Sequence, residues 1–96
     1  MSMFSELQNK KHEILQLARQ HGIIDLRIFG SVVRLEENQN SDIDFLVRFE
    51  EDRSLFDLIR FKQEVEVMLS KPVDVVTEES VHYTIKSEIL NEAIQL

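Results

Sequence analysis

The segment from Asp42 to Phe49 constrains the fold more than any other. Ile43, Phe45, Val47 and Phe49 alternate with Asp42, Asp44, Leu46 and Arg48. That is the period of a strand with one face in a core and the other facing polar surroundings. A second strand-like segment, Val73 to Val76, is apolar except for Asp74. Between them, Leu55, Leu58, Ile59, Lys62, Val65, Met68 and Leu69 recur at three- and four-residue spacing and predict a helix. Ser54 with Asp57 three positions later resembles a capping box, and Pro72 requires the helix to have ended. Strand, helix, strand fits a helical crossover between two members of one sheet.

Upstream, Leu7, Lys11, Ile14, Leu15 and Ala18, widened by Leu17, predict one helix from Phe4 to His21, with Gly22 as its left-handed terminator. A strand is expected at Ile24 to Phe29, where Ile24, Leu26 and Ile28 alternate with Asp25, Arg27 and Phe29. Gly30 and Ser31 end it, and Ser31 can cap a short helical turn through Val33 to Leu35. The polar loop Glu36 to Ser41 permits the first two strands to run in either relative direction. The tail, Glu78 to Leu96, reads as one or two short helices, with Ile85, Ile89, Leu90 and Ala93 spaced for one face. The expectation is one small α/β or α+β domain over residues 1–96.

Composition removes several function classes. There is no Cys, so disulfide frameworks, thiolate metal sites and cysteine nucleophiles are excluded. No apolar run is long enough to span a bilayer, and Met1 to Lys11 does not read as a signal peptide, so a cytoplasmic location is expected. The formal net charge is −7, which argues against direct nucleic-acid binding, since that draws on Lys and Arg. Residues 36–57 carry eight acids and two arginines. Such a cluster either faces water or holds divalent cations.

One constellation carries chemistry: Gly30-Ser31, ten residues, then Asp42-Ile43-Asp44. Gly30 lets the backbone approach a ligand closely. Ser31, at the start of a helical turn, offers N–H groups and a hydroxyl to an anion, which makes a small phosphate cradle. Asp42 and Asp44, at i and i+2 of a strand, project side by side and repel unless a cation lies between them. Oxygen ligands of this kind suit Mg2+ together with substrate phosphates. Asp74 is the one charge in an otherwise apolar strand. It either blocks edge-to-edge aggregation or, if its strand neighbours the second, completes a three-carboxylate site. Three carboxylates, two metals and a phosphate cradle suit in-line nucleotidyl transfer.

The stretch Phe29-Gly30-Ser31 … Ser41-Asp42-Ile43-Asp44-Phe45-Leu46-Val47 closely resembles the minimal nucleotidyltransferases of the DNA polymerase β-like superfamily. The resemblance extends to Asp74 and to the tail Ile89-Leu90-Asn91-Glu92-Ala93, and so covers nearly the whole chain. It implies a small mixed sheet of three or four strands flanked by helices, the nucleotidyltransferase fold. It implies that Gly30 and Ser31 hold the triphosphate of ATP, that Asp42 and Asp44 ligate two Mg2+, and that Asp74 joins the metal site and helps to activate the acceptor. Many members are antitoxins of type VII pairs, which add AMP to a tyrosine of an all-helical HEPN ribonuclease toxin and so inactivate it. Where many relatives carry a Gly, this chain has Leu35.

The remaining candidates read as follows. Arg34, on the turn beyond Ser31, either contacts the triphosphate or pairs with Glu36 or Glu37. Lys10 and Lys11 are expected to be solvated, and His12, His21 and His82 share no metal-ligand spacing. Tyr83 is either an acceptor in self-modification or a packing residue. Phe45, Phe49, Phe56 and Phe61 are core candidates. The chain ends soon after Asp74, leaving no room for an acceptor-binding domain, so a protein acceptor is expected. The alternatives are a non-catalytic antitoxin that masks its toxin by contact, and a nucleotidyltransferase subunit acting on a small molecule.

Overall fold

The computed structural model describes residues 3–33, 42–80 and 83–96. Helices α1 (Met3–Asn9) and α2 (Lys11–Gln20) lead into strand β1 (Ile23–Phe29) and a 3-10 turn, Gly30–Val32. Strand β2 (Ile43–Phe49), helix α3 (Leu55–Leu69), strand β3 (Val73–Thr77), helix α4 (Tyr83–Glu92) and strand β4 (Ile94–Gln95) follow. The strands form one sheet in the order β3-β2-β1-β4. β2 and β3 are parallel, joined by α3 as the expected crossover, and β1 is antiparallel to both β2 and β4. The result is the mixed sheet flanked by helices that the sequence led us to expect.

One face of the sheet carries the core. Ile23, Leu26 and Ile28 of β1, Ile43, Phe45 and Val47 of β2, and Val73 and Val75 of β3 are buried against Leu7, Ile14 and Ala18 of the first helices and Phe61, Val65 and Leu69 of α3. Phe45 and Phe61 meet edge to face at 6.2 Å between ring centroids, a favoured aromatic geometry. α3 starts as expected, with the Ser54 N–H donating to the Asp57 carboxylate at 3.1 Å.

Several local expectations are corrected. The first helix is broken at Lys10, whose φ of −101° and ψ of 9° depart from helical values. Lys10 is also not simply solvated: its Nζ donates to the Met68 carbonyl at 3.0 Å, satisfying one of the open acceptors in the last turn of α3. Lys11 is exposed and leaves the apolar stripe to Leu7, Ile14 and Ala18.

In β1 the inward residues are Ile23, Leu26 and Ile28, and Ile24 is 57% exposed. Ile23 pairs with Phe49 and Asp25 with Arg48, so β1 carries one extra residue there. That bulge resets the alternation.

The buried stripe of α3 is Phe61, Val65 and Leu69, with Leu58 and Met68 packed beside it. Leu55, Phe56 and Ile59 lie well round the helix from Phe61 and are exposed, Phe56 at 71%. Phe56 is therefore not a core residue.

The tail is one helix followed by β4 rather than helices alone. Ile94 pairs with Ile28, and the Leu96 N–H donates to the Leu26 carbonyl at 3.4 Å. Among the described residues, no helix is long and apolar enough to cross a membrane.

Candidate active site

The site is built where β1 ends. Phe29 is extended, with φ −146° and ψ −177°, and Gly30 turns the chain with a φ of +82°. Such a φ costs an L-residue with a side chain energy that glycine is spared. Val32, fully buried, pins the turn to the core. The turn comes earlier than Val33 to Leu35, so Ser31 lies within it rather than capping it. Arg34 and Leu35 lie outside the described residues.

Register then places the carboxylates. Phe29 is opposite Asp44 on β2, and Asp44 is opposite Asp74 on β3. Residues opposite each other in a ladder share a face, and neighbouring strands lie about 4.8 Å apart. The Asp44 and Asp74 side chains therefore rise from the same side of the sheet as neighbours. Asp42, the residue before β2, is exposed, as is Asp74, and Asp44 is half-buried. The Ile43 N–H donates to the Pro72 carbonyl at 3.1 Å, which fixes where the parallel ladder starts and hence this register. β3 is an edge strand, so position alone suits Asp74 to guarding an edge. Sharing a rung with a second carboxylate is a cost that edge protection does not require.

Gly30 and Asp44 are in direct contact. A Cβ placed on Gly30 would fall inside the Asp44 carboxylate. The Gly30 N–H donates to the Glu92 carboxylate at 2.9 Å. Phe29, Gly30 and Asp44 line a cavity of about 380 Å³ whose other wall is Ile85, Glu88, Ile89 and Glu92 of α4. A larger groove of about 720 Å³ lies toward the other end of β2 and β3, between Phe49, Arg53, Leu55 and Thr77, and none of the predicted site residues lines it.

The donor set fits a hard divalent cation in chemistry. Asp42, Asp44 and Asp74 offer only oxygen, and Asp44 and Asp74 are neighbours on one rung. Among the described residues no three acidic or imidazole groups are gathered closely enough to enclose an ion by themselves. A Mg2+ held by the Asp44–Asp74 rung would therefore complete its shell with water and substrate phosphates.

Of the predicted residues, the fold thus brings together Gly30, Asp44 and Asp74, with Ser31 in the same turn and Asp42 two residues before Asp44. Glu92 was not singled out as a site residue. Its contact with Gly30 depends on α4 folding back over the sheet and on β4, a two-residue strand too short to show alternation.

The nucleotidyltransferase domain family matches residues 11–96. The Methanocaldococcus jannaschii protein MJ0435, provisionally named a protein adenylyltransferase, is 46% identical over 86 residues, covering 90% of this chain and 92% of that protein. The protein adenylyltransferase MntA of Thermococcus cleftensis is 35% identical over 79 residues, covering 82% of this chain and 80% of that one. A solved structure described provisionally as a minimal nucleotidyltransferase superposes with a TM-score of 0.89 at 38% identity, covering 100% of this chain and 97% of its own. The fold also matches, with a TM-score of 0.69 at 20% identity, a structure of a tri-AMPylated Shewanella oneidensis HEPN toxin in complex with an MNT antitoxin, covering 92% of this chain and 69% of the matched chain. Carboxylates paired on one rung beside a glycine turn, on this mixed sheet and in this company, place the chain in the nucleotidyltransferase domain family.

Proposed function

We propose that the chain is a protein adenylyltransferase that acts as the antitoxin of a type VII pair, transferring AMP from ATP to a tyrosine hydroxyl of a HEPN ribonuclease toxin. The observation that carries this reading is the Asp44–Asp74 rung set directly against the Gly30 turn. The names of the relatives and the AMPylated toxin in the structural neighbour support the chemistry and the kind of partner.

Each residue has a task in that reaction. Gly30 and Ser31 hold the triphosphate in their turn, Gly30 by leaving open the space a side chain would fill and Ser31 by its backbone N–H, and Arg34 adds a cation to it. Asp42, Asp44 and Asp74 would hold Mg2+, which when bound offsets phosphate charge and aligns the reacting oxygens. Asp74, the exposed member on the edge strand, faces the incoming acceptor and takes its hydroxyl proton as the oxygen attacks the α-phosphorus. The bond to the bridging oxygen breaks and pyrophosphate leaves, so AMP ends as a phosphodiester on the acceptor. The acidic chain is also suited to meeting a ribonuclease, whose RNA-binding face must be basic.

The test is transfer of label from α-labelled ATP, with Mg2+, to a co-expressed helical partner. Wild-type protein is expected to label the partner, and Asp44→Asn to fail while remaining folded. Equal labelling by Asp44→Asn would remove Asp44 from the mechanism.

A further inference from the structure

The carboxylate of Glu92 has a place in the site that the reaction scheme above leaves unused. Gly30 is held from two sides: the Asp44 carboxylate lies over its Cα, and its N–H donates to Glu92 Oε2 at 2.9 Å. The two partners come from opposite walls of the same cavity, β2 on one side and α4 on the other. Glu92 ends α4, and two residues later β4 pairs with β1, Ile94 against Ile28 and Gln95 against Arg27. The Gln95 side chain also donates to Asp25 at 3.1 Å. The last turn of α4 is thereby fixed to the strand whose end it grips.

We propose that Glu92 is a positioning residue for nucleotide: by accepting the Gly30 N–H it sets the Gly30–Val32 turn against Asp44, so that the cradle is preformed before ATP arrives. The role rests on the transferase reading. A bond from a backbone N–H to a carboxylate is among the stronger hydrogen bonds. It spends the Gly30 N–H on the protein, which leaves the phosphates to the N–H groups that follow in the turn. A glycine with positive φ has wide freedom when unrestrained, so fixing it removes an ordering cost from ligand binding.

The chain's two glycines make the test direct, because Gly22 and Gly30 give the two backbone glycine signals of a 15N–1H spectrum. Glu92→Ala is expected to move the Gly30 signal and speed its amide exchange. Gly22, whose N–H donates to the Arg19 carbonyl, should stay in place. Binding of AMP-PNP with Mg2+, measured calorimetrically, should weaken by roughly tenfold in Glu92→Ala, the scale of losing a partner that orients a ligating group. Glu92→Gln, which keeps an accepting oxygen, should recover most of that affinity. Glu88→Gln removes a charge one turn away on the same wall and controls for charge alone.

An unmoved Gly30 signal in Glu92→Ala overturns the proposal, as does AMP-PNP binding that is unchanged or tighter in that variant. Tighter binding would make Glu92 a competitor of the phosphates. Wild-type protein that binds no AMP-PNP overturns the transferase reading and this role together. Wild-type binding that Glu92→Ala leaves intact overturns the role of Glu92 alone.

Discussion

The two glycines stand at the two ends of β1, and each has a left-handed φ: +78° at Gly22 and +82° at Gly30. Each also lies under a charged side chain, Arg53 over Gly22 and Asp44 over Gly30. The charges are assembled differently. Arg53 is paired with Glu50 at 2.7 Å and Asp57 at 3.5 Å, partners three and four positions away in the chain. Asp44 meets Asp74 and Gly30, and Gly30 meets Glu92, contacts that need β1, β2, β3 and α4 all in place. One acidic region is closed by its own sequence neighbours and faces water. The other exists only because the sheet forms. The acid-rich stretch 36–57 thus divides: Glu50 and Asp57 are solvated ion-pair partners, and Asp42 and Asp44 belong to the candidate site.

Mutations at the Gly30 end should break function far more than fold. Gly30→Ala forces a Cβ into the Asp44 carboxylate, and Asp44→Asn removes its charge. Each should lower AMP transfer by about 10²-fold or more, the scale of losing one preorganised electrostatic group, with the circular dichroism of a folded protein retained, although Gly30→Ala also carries a left-handed φ cost of about 1–2 kcal/mol. At the Gly22 end the ranking reverses. Gly22→Ala keeps the site but imposes a left-handed φ on a residue with a side chain, so urea unfolding should show a loss of about 1–2 kcal/mol with transfer intact. Impaired transfer in the folded Gly22→Ala protein would mean that the two ends are coupled.

A smaller effect of opposite sign is expected from Asp74→Asn. Like charges on one rung are destabilising, so without divalent cation the variant should gain about 0.2–1 kcal/mol, read as a raised melting temperature, while losing transfer. A lowered melting temperature would show that the Asp74 charge has a structural partner. The smallest change is expected from Arg53→Gln, which removes an exposed pairing: transfer should be unaltered and the melting temperature should drop only slightly.

The crossover from β2 through α3 to β3 was legible because its alternating and helical periods are long and its boundaries are marked by Ser54, Asp57 and Pro72. The neighbouring of Asp44 and Asp74 stayed open, since a helical crossover makes two strands parallel without deciding that they are adjacent or in which register they pair. Other features were hidden. The bulge that turns Ile24 outward depends on register against Phe49 and Arg48, which lies in no local pattern. The exposure of Phe56 depends on which side of α3 meets the sheet, and Leu55 and Ile59 made a competing stripe. The Glu92 contact depends on β4, where pairing with β1 rather than periodicity makes the strand. Gly30 and Ser31 were visible by their types, but the 3-10 turn that begins at Gly30 was not, because its cap position is Phe29, which has no capping side chain, and Ser31 two positions later has one.

The central claim is covalent transfer to a protein acceptor, and intact-mass spectrometry tests it most directly. The partner toxin is incubated with this protein, ATP and Mg2+, separated from it, and then weighed and assayed for ribonuclease activity alone. The account predicts a mass increase in whole AMP units, placed on a tyrosine by fragmentation, with ribonuclease activity lost and not regained after separation. A toxin of unchanged mass that recovers full activity once the two are parted would contradict transfer and leave reversible masking in its place.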